Sequence, residues 1–181
     1  MKYFVIETER LKLTPFHEFD IPDLVPLIGA REVAANTLRI PHPYEEKHAR
    51  EFLARAPKEN ELRLAIRRRS DDRLCGGIGL HPEMQHLRAE LGYWIGVPYW
   101  GHGYATEAGR AVVRHGFEQF KLNRIFAAHF SGNDASGNVL RKIGMKHEGR
   151  ARQAILKWDK LMDLEMYAML REEMPALREK A

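Results

Sequence analysis

The sequence predicts a single α/β (α+β) domain, a mixed sheet carrying helices, and three observations point to it. Apolar and polar residues alternate over several short runs, the pattern of half-buried strands. Between two such runs, Ala105, Ala108, Val112, Gly116 and Phe120 fall on one helical face, with Glu107, Arg110, Arg114 and Glu118 largely opposite. Finally, 181 residues without an internal repeat, linker or low-complexity tract suit one hydrophobic core.

Taken in order, Val5 to Thr14 alternates around Ile6, Leu11 and Leu13 until Pro15, which predicts a first strand. Asp20 can cap a short helix through Leu27 and Ile28 that stops at Gly29. Asn36 to Tyr44 contains Pro41 and Pro43 and reads as a loop. Glu45 to Ala56 carries Ala49, Phe52, Leu53 and Ala56 at helical spacing before Pro57 breaks it. Strands follow at Leu62 to Arg68 and Leu74 to His81, joined by the polar turn Ser70 to Arg73, and then at Ala89 to Val97. The helix over 105–120 and a strand at Arg124 to Phe130 complete a strand, helix, strand unit, which packs as a right-handed crossover between parallel neighbours. A helix over Asp134 to Ile143 is stopped by Gly144. Met145 to Leu156 and Lys160 to Arg171 read as a hairpin around Trp158 and Asp159, although Leu161 to Leu170 also fits helical spacing. The sum is about seven strands and about four helices in a domain over residues 1–172, with 173–181 as a loose polar tail.

Composition narrows the classes of function. The 29 basic and 25 acidic residues leave a net charge of +4, and 30% charged with 44% hydrophobic residues is a globular balance. The single Cys75 excludes an internal disulfide and the paired cysteines of zinc sites, and no metal is expected. Leu91 to Val97 is far shorter than the roughly 18 apolar residues a membrane span needs, and Met1 to Arg10 lacks the apolar stretch of a signal peptide, so a cytoplasmic protein is expected. Arg67, Arg68 and Arg69 read as the solvated end of a strand. No aromatic residue interleaves them, and neither a nucleic-acid nor a membrane partner is expected.

The run Val97-Pro98-Tyr99-Trp100-Gly101-His102-Gly103-Tyr104-Ala105-Thr106-Glu107 joins a strand to the amphipathic helix. Its glycines let backbone approach a ligand, and the first N–H groups of a helix have no internal partner, so the segment suits an anion such as a pyrophosphate. It is neither a Walker phosphate loop nor a GxGxxG fingerprint.

This run, with Ala89-Glu90-Leu91-Gly92-Tyr93-Trp94-Ile95 before it and Asn133-Asp134-Ala135-Ser136-Gly137-Asn138-Val139-Leu140-Arg141-Lys142-Ile143-Gly144-Met145 after it, closely resembles the GNAT superfamily of N-acetyltransferases. Within it the chain looks like the RimJ and RimL type, the ribosomal-protein alanine acetyltransferases. The likeness extends from Thr8-Glu9-Arg10-Leu11-Lys12-Leu13 to Asp163-Leu164-Glu165-Met166-Tyr167. It implies acetyl-CoA as donor and a primary amine as acceptor, most simply a protein N-terminal α-amine. A small amine such as a polyamine, an amino acid derivative or an aminoglycoside is the alternative, and a non-catalytic CoA-binding module is a further one. A homodimer is neither required nor excluded.

The resemblance also implies a bulged strand splaying from its parallel neighbour. The pantetheine arm then meets main chain at Ile95, Gly96 and Val97. The pyrophosphate meets N–H groups of Gly101, His102, Gly103, Tyr104, Ala105 and Thr106, and Asn133 holds the pantetheine amides. Trp100 departs from the Gln or Arg that the family places there. Leu140 departs from the tyrosine that many members use as general acid, a loss the Rim type shares, and Ser136 becomes the candidate acid.

Glu90, on a strand edging the cleft, is the candidate base that draws off the amine proton through a water. The other reading of Glu90 is a surface carboxylate paired with a neighbouring Arg or Lys, and that of Ser136 is a helix-start hydroxyl satisfying backbone. A strand N–H near Ile95 or Val97 would polarise the thioester carbonyl. Arg39, His42 and Tyr44, with the Trp158 hairpin, are the candidate acceptor contacts. Tyr93 and Trp94 alternate in facing, so one lines the cleft, with Tyr93 a further acceptor candidate. His81 reads as structural or solvated, and Cys75 lacks an adjacent His to activate it.

Overall fold

The computed structural model describes residues 4–174. The expected first strand is two, β1 (Ile6–Glu7) and β2 (Leu11–Pro15), paired antiparallel around a tight turn. Thr8 makes the break: its N–H donates to the Leu11 carbonyl at 3.0 Å, and its Oγ1 accepts the Leu11 N–H at 3.1 Å.

Three helices follow: α1 (Ile21–Gly29), the single turn α2 (Arg31–Ala35), which lies in a stretch without helical periodicity, and α3 (Glu46–Ala54). Strands β3 (Leu62–Arg68), β4 (Leu74–Glu83) and β5 (Arg88–Ile95) then form an antiparallel meander, and α4 (Tyr104–Glu118) crosses to β6 (Arg124–Phe130), which runs parallel to β5. After α5 (Asp134–Ile143), the chain closes with the hairpin β7 (Lys146–Lys157) and β8 (Lys160–Leu170). Leu161 to Leu170 is therefore strand, held on both sides by β6 and β7. Among the described residues the sheet has eight strands in the order β1-β2-β3-β4-β5-β6-β8-β7, one more than expected because the first is divided.

Two cores sit on the two faces. Leu11, Leu13, Ala108, Val112, Phe117 and Ile125 pack under α4 and α5, while Ile21, Leu24, Ile28, Val33, Ala49 and Ala65 pack among α1, α2 and α3. The glycines of β4 let β5 lie close: a Cβ on Gly76 would meet the Trp94 carbonyl oxygen at 2.3 Å, and one on Gly77 would meet Trp94 Nε1 at 2.5 Å. No described helix is long and apolar enough to cross a membrane.

Two expectations change. Arg67 is not solvated: it is 6% exposed, pairs with Asp20, itself 2% exposed, and donates from Nε to Thr14 Oγ1 at 3.1 Å. Asp20 does stand at the start of α1, yet its side chain does not cap the helix, because its oxygens serve Arg67 and the His17 N–H. Arg68 pairs with Asp71, and Arg69 donates to the Thr8 carbonyl. His81 ties β4 to Glu61 at 3.1 Å. Arg55 and His81 hold the Glu61 carboxyl, against its burial, at about 2. Of the tail, Arg171–Glu173 forms a 3-10 turn with Glu173 paired to Lys146, and residues 175–181 lie outside the described residues.

Candidate active site

The cleft originates in the β5–β6 pairing. Only Arg88, Ala89 and Glu90 of β5 lie in register with Arg124, Ile125 and Phe126 of β6; past Glu90 the strands diverge, and β6 continues against β8 alone. The β4–β5 register runs without a shift, so the strands splay without the bulge that the resemblance implied. Gly96 N–H donates to the Cys75 carbonyl at 2.9 Å. By the alternation of an antiparallel ladder, the N–H and C=O groups of Tyr93 and Ile95 then turn away from β4 into the gap.

At the open end the chain makes a 3-10 turn over Val97–Tyr99 and enters α4 through Gly101 and Gly103, at φ 77° and 78°. None of the six N–H groups from Gly101 to Thr106 has a hydrogen-bond partner among the described residues. They lie at the N-terminal end of α4, where the helix dipole is positive, an arrangement that receives an anion. Trp100 is a strut of this loop, its Nε1 donating to the Ile95 carbonyl at 2.7 Å. That bond occupies the Ile95 carbonyl, and Gly96 is occupied at both ends, its carbonyl accepting the Tyr99 N–H. Of the three main-chain positions expected to meet the arm, the Ile95 and Val97 N–H groups have no partner among the described residues, and Gly96 has one.

A cation stands beside the loop that local sequence patterns did not single out. Arg10 donates from Nη1 to the His102 carbonyl at 3.0 Å and from Nε to Glu107 at 2.7 Å, and lies 5.3 Å over the Tyr104 ring. Glu107 also accepts the Thr8 hydroxyl and the Arg10 N–H, so α4's first turn holds the β1–β2 turn against the loop. From Gly103 a groove of about 710 Å³ follows α4, lined by Thr8, Arg10, Thr106, Arg110 and Lys142 among others. The signal was present in Thr8-Glu9-Arg10, but nothing local to that run says what faces it.

Across the gap, Asn133 caps α5, its Oδ1 accepting the Ser136 N–H at 3.1 Å. Its amide NH₂ has no partner among the described residues and can donate to a carbonyl. Ser136 Oγ does not bond backbone; its partner is the Tyr93 hydroxyl at 2.7 Å. Tyr93 thus points to the α4 and α5 face, and burial pushes its phenol up to about 12.

Glu90 and Trp94 share the opposite face. Glu90, the last β5 residue in register with β6, accepts from Arg39 Nη2 at 2.6 Å with its side chain 35% exposed. Arg39 and Glu90 are therefore brought together, as the pairing alternative for Glu90 required. His42 lies 5.7 Å from the Trp158 ring, Arg31 lies over the same ring, and Lys157 donates to the Thr37 carbonyl at 2.7 Å. The β7–β8 tip so closes on the 36–44 loop beside Glu90. Tyr44 is a packing residue in the second core, with Gly29 beneath its Cβ. Cys75 is fully buried, and burial raises its thiol to about 11, which leaves it a poor nucleophile.

Residues 10–146 match the acetyltransferase (GNAT) domain. The chain belongs to the GNAT acetyltransferase family. An N-acetyltransferase of Bacillus subtilis, YoaA, uncharacterized by its name, is 36% identical over 121 residues, which is 66% of this chain and 68% of that protein. A GNAT-family acetyltransferase from Bacillus anthracis superposes with a TM-score of 0.84 at 27% identity, over 93% of this chain and 99% of that one. RimJ from Mycobacterium smegmatis, solved in complex with CoA-disulfide, shares the fold with a TM-score of 0.81 at 21% identity, over 91% of this chain and 84% of that one. This GNAT domain is an acetyltransferase by family, with the splayed strands and glycine loop in the places the resemblance implied.

Proposed function

We propose that residues 1–172 transfer the acetyl group of acetyl-CoA to a primary amine, most simply a protein N-terminal α-amine of the ribosomal-protein type. The observation that carries this reading is the splayed β5–β6 pair opening onto a loop of six unpartnered N–H groups. These features fit the coenzyme: the loop suits its diphosphate, Arg10 stands beside that loop, itself paired to Glu107, and the free N–H group of Val97 suits its amide-bearing arm. RimJ, which was solved with a CoA species, supports the same reading.

Bound in the cleft, acetyl-CoA supplies an activated thioester; the chain's residues do the rest. The acceptor enters on the face of Glu90, whose carboxylate takes the amine proton directly or through a water. Arg39 holds that carboxylate in the free protein, so an acceptor ammonium competes with its guanidinium. The Ile95 N–H polarises the carbonyl under attack, and Ser136 protonates the leaving thiolate. An α-amine with a pKa of about 8 needs less help from Glu90 than a lysine at about 10.4, which favours the N-terminal acceptor.

Isothermal titration of the full chain with acetyl-CoA tests the coenzyme half, and absence of binding to folded protein removes the proposal. Thiol release with peptides beginning in Ala or Ser, set beside spermine and an aminoglycoside, tests the acceptor half. Turnover confined to the small amines would replace the N-terminal reading. Gly103→Val is expected to weaken acetyl-CoA binding about 5- to 30-fold, because a left-handed backbone costs an L-residue roughly 1–2 kcal/mol and a β-branched one no less. Unchanged affinity in the same titration would argue against the loop as the phosphate site.

A further inference from the structure

We propose that Tyr93 is a positioning residue that turns the Ser136 hydroxyl into a donor facing the cleft. The inference rests on the reading above, in which Ser136 protonates the leaving thiolate.

Tyr93 lies on β5 beyond the last residue in register with β6, and its hydroxyl reaches the first turn of α5. There it stands 2.7 Å from Ser136 Oγ and 3.3 Å from the Ser136 carbonyl oxygen. This contact joins the two walls of the cleft where no ladder hydrogen bond remains.

The direction of the hydrogen bond decides what Ser136 can do. A phenol is a stronger acid than an alkyl hydroxyl and so the stronger donor. The Tyr93 hydroxyl has one proton and two acceptors within reach, and the 2.7 Å contact to Oγ takes it in preference to the 3.3 Å contact to the carbonyl, so Ser136 Oγ is the acceptor and keeps its own proton uncommitted. A helical serine usually commits that proton to a carbonyl one turn back, and no such bond exists among the described residues. Burial, which raises the Tyr93 phenol to about 12, keeps it protonated over the working pH range, so it stays a donor.

In the step itself, the carbon–sulfur bond of the tetrahedral adduct breaks and its electron pair stays on sulfur. Sulfur takes the Ser136 proton, while the Tyr93 O–H stabilises the serine oxygen as that proton leaves. Solvent then reprotonates Ser136 with the equivalent of the proton that Glu90 removed from the amine, so the balance closes with Tyr93 unchanged.

Tyr93→Phe, Ser136→Ala and the double variant, made in the full chain, test this with two readouts. The first needs no acceptor: the pH at which the thiol of bound CoA ionises, followed by thiolate absorbance. A donor aimed at sulfur favours the thiolate. Each single variant is expected to lower the ionisation constant about 2- to 10-fold, the range one hydrogen bond covers, and the double variant no further than Ser136→Ala. The second is turnover: kcat falls about 3- to 10-fold in Tyr93→Phe, while KM for acetyl-CoA stays within about twofold of wild type.

Wild-type ionisation and kcat in Tyr93→Phe overturn the proposal. So does an equal loss from Tyr93→Phe in the Ser136→Ala background, since a residue acting only through packing would be additive there. Failure of wild-type protein to bind CoA instead overturns the functional reading, and with it this one. A normal response in Ser136→Ala with none in Tyr93→Phe overturns the role of Tyr93 alone.

Discussion

Glu90→Gln is expected to lower turnover about 10²- to 10³-fold near neutral pH, toward the low end of what a positioned general base contributes. Glutamine keeps the size and the hydrogen-bonding oxygen of the side chain but accepts no proton, so the loss reads the base function. The sign of the pH dependence follows from the acceptor. An α-amine ionises at about 7.7–8.0, so below that pH most of it is ammonium and someone must take its proton. Above it the amine arrives neutral, and the variant regains most of its rate by about pH 9. Arg39 sharpens the test, because Glu90→Gln also frees its guanidinium from a 2.6 Å pair. Affinity for acetyl-CoA is expected to stay at wild type, since the proposed coenzyme contacts lie at Val97 and the glycine loop rather than at Glu90. Steady-state rates across pH check all of this, and full activity of Glu90→Gln on the acidic limb would remove the assignment.

The second large effect is on stability. Asp20→Ala leaves the Arg67 guanidinium buried without its partner, and losing one member of a buried ion pair costs about 3–5 kcal/mol. Thr14 Oγ1 still accepts from Arg67 Nε, but a neutral hydroxyl does not balance the charge. For a chain of this length each kcal/mol moves Tm by about 2–4 °C, so the midpoint falls by roughly 6–20 °C. The pair joins the start of α1 to β3, and its loss loosens the helix layer beside the 36–44 loop. The double variant Asp20→Leu, Arg67→Met is expected to lie much closer to wild type, since it removes the desolvated charges together. Thermal unfolding of the three proteins decides it; a drop of less than about 1 kcal/mol in Asp20→Ala would show that solvent reaches Arg67.

Most elements were legible because their signals are local. The α4 stripe, the Gly144 stop of α5 and the alternation in β3 and β4 each sit within one segment. The break at Thr8 was not, because the alternation of Ile6, Leu11 and Leu13 continues across it and the contact that holds the turn comes from Glu107. Arg67 was misread for the same kind of reason: it stands in a basic run beside Ser70 and Asp71, and its partner is Asp20. At the site, the glycine loop announced itself, whereas the role of Trp100 and the nearness of Arg10 required the loop to be folded. Ser136 and Tyr93 were each legible as candidates, but their pairing, between helix α5 and strand β5, was not.

By itself, then, the amino-acid order determined most of the strands and the longer helices, where a crossover joins parallel neighbours, and that a two-glycine turn precedes a helix. Those properties depend on residues within a turn or two of one another, through backbone torsions and side-chain period. Only the tertiary structure decided that β5 leaves β6 after Glu90, that Arg39 holds Glu90, and that Tyr93 spans the gap to Ser136. Each of these is a meeting of groups far apart along the chain, set by how whole layers pack, and no local pattern encodes a distance across a cleft.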